Sequence, residues 1–192
     1  MVRTMVTTEG RTGRGRDDGD EATARPPGPP VPPLAPPRIT VDTTIAIAAD
    51  PATIWERLLF YEQIDQRPPL HLRLLLPVPI ETVGRKSEVG DEARCLYEGG
   101  FLIKRVTHID PPRRYGFEIA EQALSIGGGM RLAGGDYTIE AEGAGRSRLC
   151  ITTRYTSARW PRWVWRPVER AVCHSFHRHI LGAMRRAIEV PA

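Results

Sequence analysis

Residues 134–190 read GGDYTIEAEGAGRSRLCITTRYTSARWPRWVWRPVERAVCHSFHRHILGAMRRAIEV, two alternating runs joined by a tight turn and followed by one long stretch of helical period. In the first run Tyr137, Ile139 and Ala141 share a face, and in the second Leu149, Ile151, Thr153 and Tyr155 do, so an antiparallel hairpin with one buried face is expected. The apolar phase shifts between Met130, Leu132 and Tyr137 with Gly134 and Gly135 between them, which predicts a β-bulge that bends the sheet. The remaining segment reads as one helix beginning near Pro167. With Val172 at zero, a step of about 100° places Trp165, Val168, Phe176, His179, Ala183 and Ala187 within about 60° of it, an apolar stripe along the whole length.

Working back towards the N-terminus, further strands are expected at 91–98, 101–109 and 114–121, with Tyr115, Phe117 and Ile119 facing inward on the last. The short connections GG, DPPR and GAG imply hairpins throughout. Residues 65–82 are apolar but interrupted by Pro68, Pro69, Pro77 and Pro79, which excludes a long helix or a central strand and suits a lid or portal. Ile39, Val41, Thr43, Ile45 and Ile47 alternate as a half-buried strand. Asp50 can then cap a short helix whose first position is Pro51.

The chain of 192 residues, 41% hydrophobic and 26% charged, has room for one domain plus a tail. Residues 1–25 hold almost no apolar side chains, and eight prolines crowd into Pro26–Pro37. Residues 1–38 are therefore expected to be a disordered, proline-rich tail and linker, and 39–192 the folded domain. No apolar run of membrane-spanning length and no signal-peptide stretch is present, so a cytoplasmic location is expected. Cys95, Cys150 and Cys173 are odd in number and far apart, which excludes a disulfide framework or a Cys-x-x-Cys knuckle. The net charge of +4 resides in the last helix, where residues 158–192 carry seven arginines against Glu169 and Glu189. No basic stripe crosses a flat sheet face, so nucleic acid is not an expected partner.

A curved antiparallel sheet needs cover on its concave face, and the last helix alone is long enough to supply it. The opening strand with ADPATIWERL, the run VTHIDPPRRYGFEI, the hairpin GGDYTIEAEGAGRSRLCITTRY and the terminal helix together resemble the START-like (SRPBCC) superfamily, and within it the polyketide cyclase/dehydrase and lipid-transport branch, over about residues 39–189. The resemblance implies an α+β helix-grip fold (START/Bet v 1-like), a curved antiparallel sheet wrapped around a long C-terminal helix. It also implies an apolar cavity between sheet and helix, without deciding between carrier and enzyme.

On that layout the residues expected to line the cavity are Tyr97, Phe117, Tyr137, Thr153, Tyr155, Phe176 and His179. The tyrosines at 97, 115, 137 and 155 fall on inward strand faces, where each hydroxyl needs a partner. In the run HSFHRH, His174 and His177 lie about 60° apart on the expected outer face and His179 on the apolar stripe, so the three cannot meet one ion and no metal or other cofactor is expected. His179 is either a core histidine satisfied by a neighbour or an acid/base group facing the ligand. No paired carboxylate, Ser/His/Asp or Cys/His arrangement is legible.

Three functions are compatible with these residues. The first is binding, with transport, of a small apolar or lipid-like molecule, gated by 65–82. A second is a polyketide cyclase or dehydratase using His179 and a pocket tyrosine. The third is a membrane-surface or protein interaction module built on Trp160, Trp163 and Trp165 with Arg159, Arg162 and Arg166.

Overall fold

The computed structural model describes residues 38–58, 60–64 and 68–189, so the expected tail and linker lie outside it apart from Arg38. Strand β1 (Ile39–Ile47) opens the fold with the alternation expected of it: Val41, Thr43 and Ile47 are buried and their even-numbered neighbours exposed. Helix α1 (Pro51–Glu56) follows at once because Asp50 accepts a hydrogen bond from the Thr53 amide at 2.9 Å while Pro51, with no N–H to lose, takes the first position. A 3-10 turn (Tyr61–Gln63), helix α2 (Leu70–Leu75) and strand β2 (Pro79–Gly84) come next.

The segment 65–82 is therefore not wholly irregular. Its prolines sit where they cost little: Pro69 precedes the first residue of α2, and Pro79 begins β2, an edge strand.

The remaining elements are β3 (Glu92–Tyr97), β4 (Gly100–Asp110), β5 (Arg114–Ala123), β6 (Met130–Gly143), β7 (Arg146–Ser157) and the 28-residue α3 (Arg162–Glu189). The strands form one curved antiparallel sheet of seven in the order β1-β7-β6-β5-β4-β3-β2. The expected bulge is present in β6, where the register with β7 shifts between Leu132 and Gly134. Gly134 has φ +145°, and a Cβ there would lie 2.3 Å from the Phe117 carbonyl oxygen, so no other residue fits this bend.

Two sequence expectations for α3 are corrected. The helix starts at Arg162, not near Pro167. Pro167 lies inside it, and lacks only the one N–H that would reach back to residue 163. The buried face is also rotated from the one expected: it comprises Glu169, Cys173, His177, Ile180, Leu181, Ala183 and Met184, whereas Val168 is 43% exposed, Ala187 is exposed and His179 is half-buried. Hydropathy led to the wrong phase because Glu169 and His177, polar by composition, are buried with partners of their own. Around Leu181 and Met184 the helix closes the main core with Ile47, Ile54 and Leu149, all five completely buried.

Candidate functional site

Between the sheet and the first half of α3 lies a cavity of about 120 Å³. Leu102, Phe117, Ile119 and Leu132 cover it from the sheet, Val172 and Phe176 from α3, and Leu76 and Pro77 stand at one side, where the chain passes from α2 to β2. Few polar groups reach the wall. They gather in two places.

The first is an ion pair. The 3-10 turn carries Glu62 under the sheet, where its side chain has no exposed surface, and Oε1 accepts hydrogen bonds from Lys104 Nζ and from the Tyr97 hydroxyl. Burial pushes the Glu62 carboxyl up, but the adjacent Lys104 ammonium and these two donors outweigh it and hold the group at about 2. Oε2, in contrast, has no hydrogen-bond partner among the described residues. Phe60 packs edge-on against Tyr115 at 5.1 Å and Tyr137 at 5.4 Å, closing the space beside the pair, while Lys86 Nζ stands 4.4 Å over its ring.

The second is a chain of side chains. Thr43 Oγ1 lies 2.8 Å from His174 Nδ1 and 2.8 Å from His177 Nδ1, and His177 Nε2 lies 2.8 Å from Thr153 Oγ1 and 3.6 Å from Cys173 Sγ. A threonine hydroxyl has one hydrogen to give, so it donates to one ring and accepts from the other. This chain ties β1, β7 and α3 together, and it ends at Thr153 and Cys173 on the cavity wall. Tyr155, on the same strand face, has no exposed surface and no hydrogen-bond partner for its hydroxyl among the described residues.

Burial, reinforced by the neighbouring His174, lowers His177 to about 4. The native state thus resists protonation that the unfolded chain accepts, so this contribution is complete above pH 6.5 and is lost as the pH falls through about 4. A shift of that size corresponds to about 3 kcal/mol for a fully buried ring. Urea midpoints measured from pH 7 to pH 4.5 are expected to fall steeply, and a flat series would contradict a neutral, buried His177.

Of the residues expected at the cavity, Tyr97, Phe117, Thr153, Tyr155 and Phe176 line it; Tyr137 and His179 do not. Tyr137 is taken up by the Phe60 cluster, and the rotated phase of α3 carries His179 off the lining. The expected placement of His177 on the outer face is likewise reversed, since it is completely buried. Among the described residues no group of three metal-binding side chains converges.

Glu62, Lys104 and Glu169 also reach the wall without having been expected there. Lys104 had a signal, because it shares the inward phase of Leu102 and Val106 in β4. Glu169 had one too, four residues before Cys173 on the row that ends in Met184. Its carboxylate accepts from Ser157 Oγ at 2.6 Å and from Arg162 at 3.0 Å. Glu62 belongs to no periodic element and had none.

No curated protein sequence matches the chain. Among solved structures the fold is similar to a START superfamily protein from Mycobacterium smegmatis, with a TM-score of 0.53 at 14% identity, covering 78% of this chain and 97% of that one. It is similar too to the Zhui aromatase/cyclase from Streptomyces sp. R1128, with a TM-score of 0.52 at 15% identity over 80% and 97% of the two chains. The Aha1 dimer from Colwellia psychrerythraea gives 0.52 at 15% identity over 79% and 97%. At such identities these likenesses concern the fold alone. The family described as "Polyketide cyclase / dehydrase and lipid transport" matches residues 38–189, from the first strand to the end of α3, and the chain belongs to that family.

Proposed function

We propose that the protein binds a small, mainly apolar molecule in the cavity between its sheet and α3. The observation that carries this reading is the wall itself: an apolar space bounded by Leu102, Phe117, Ile119, Leu132, Val172 and Phe176, with polar groups confined to two spots. Removing a ligand's apolar surface from water there supplies about 25 cal/mol per Å² before the costs of ordering are deducted. The stretch that carries Leu76 and Pro77 serves as the gate, and a hydrogen bond of 2.8 Å between His71 Nε2 and Ser175 Oγ holds the adjoining α2 to α3. Titration with the neutral fluorophore N-phenylnaphthylamine is expected to show saturable uptake, weakened at least about tenfold by Leu132→Trp, which fills the space. Equal uptake by both proteins would overturn the assignment of this cavity.

A second reading, contact with an anionic membrane surface, has one observation in its favour. Trp160 and Trp163 are 83% and 80% exposed beside the arginine-rich start of α3. Trp165 and Arg162 contribute little to it, because Arg159 stacks on Trp165 at 4.0 Å and Arg162 pairs with Glu169 at 3.0 Å. Co-sedimentation with phosphatidylserine vesicles is expected to be lost in Trp160→Ala/Trp163→Ala, and binding indifferent to those changes would dismiss it.

A further inference from the structure

Two buried polar atoms at the cavity wall have no hydrogen-bond partner among the described residues: Glu62 Oε2 and the Tyr155 hydroxyl oxygen. A polar atom that is buried and unpaired weakens the fold, so its retention calls for a reason. The two atoms differ in what they offer. Glu62 is an anion whose Oε1 is already engaged by Lys104 and Tyr97, so Oε2 accepts. Lys104, itself on the wall, gives one of its three hydrogens to Glu62 and has donors to spare. A hydroxyl answers both neighbours at once: its hydrogen goes to Glu62 Oε2 and its oxygen accepts from Lys104. At the other spot burial pushes the Tyr155 phenol up to about 12, so it stays protonated and donates.

The two spots are separated by part of the sheet. Lys104 is on β4 and Tyr155 on β7, with β5 and β6 between them. Three strand spacings amount to about 14 Å along the curved surface. The wall between is apolar, formed by Phe117, Ile119 and Leu132.

Resting on the binding function proposed above, we infer that the ligand is an elongated apolar molecule with an oxygen function at each end: a hydroxyl held between Glu62 and Lys104, and an oxygen acceptor that receives the Tyr155 hydrogen. The body between them carries no charge, since Phe117, Ile119 and Leu132 face it and the Glu169 carboxylate that also reaches the cavity is paired with Arg162. This excludes simple fatty acids and hydrocarbons as preferred guests and favours molecules oxygenated at opposite ends.

Three rod-shaped probes of one shape test this by calorimetric titration: biphenyl, its para-phenol, and the compound hydroxylated at both para ends. The single hydroxyl is expected to tighten binding about tenfold through the charged pair, and the second about fivefold more through Tyr155. Tyr155→Phe is expected to cancel the second gain and, by removing an unpaired hydroxyl, to raise the melting temperature of the unliganded protein by about 3 °C. The neutral double variant Glu62→Gln/Lys104→Met is expected to cancel the first gain. Equal affinity for all three probes, or a Tyr155→Phe protein that melts lower and keeps the second gain, overturns the two-ended ligand while leaving the binding cavity in place. Failure of every probe, biphenyl included, overturns the binding function itself.

Discussion

Lys104→Met is expected to destabilise the protein by about 3–5 kcal/mol, because it strands the Glu62 carboxylate in a site with no exposed surface. Two hydrogen bonds meet at Glu62 Oε1, and only the weaker, neutral donor Tyr97 would remain. The double variant Glu62→Gln/Lys104→Met removes both charges and leaves Tyr97 an amide oxygen to donate to, so it is expected to cost much less than the sum of the single variants. Urea denaturation of the three proteins at pH 7 measures the coupling. Additive losses would show that the pair does not act as a unit. The pair is thus a costly feature of a mainly apolar wall.

His177→Ala is the second large loss expected, about 3–5 kcal/mol. Truncation empties a completely buried site and leaves Thr43 and Thr153 without the ring nitrogens that bridge them at 2.8 Å. The same variant is expected to flatten the dependence of stability on pH between 6.5 and about 4, because the group whose protonation opposes the native state is gone. A variant as stable as the parent, or one that keeps the full acid sensitivity, would place the cause elsewhere.

The fold was legible in the sequence because its elements obey simple periods. Strand limits from β3 to β5 agree with the alternation to within two residues, and the bulge at Gly134 followed from a phase slip next to two glycines. The cavity wall was legible only in part. Tyr97, Phe117, Thr153, Tyr155 and Phe176 are on it because period-two and helical patterns bring large side chains to an inner face. His179 was misassigned because Val168 and Trp165 pulled the apparent stripe of α3 towards them, while the true stripe runs through Glu169 and His177. Hydropathy counts such residues as surface; only their partners, Ser157 and Arg162 for one, Thr43 and Thr153 for the other, make them interior. Glu62 was beyond reach of any pattern, since a single turn of 3-10 helix has no period and its partner Lys104 is 42 residues away.

Native mass spectrometry of the protein purified from its own cells, followed by extraction and identification of the bound material, tests the binding cavity most directly. The expected result is a stoichiometric adduct that is mainly apolar, oxygenated at both ends and lost in Leu132→Trp. Protein that carries nothing, and that also takes up neither N-phenylnaphthylamine nor the biphenyl series, would contradict a ligand-binding role for this cavity.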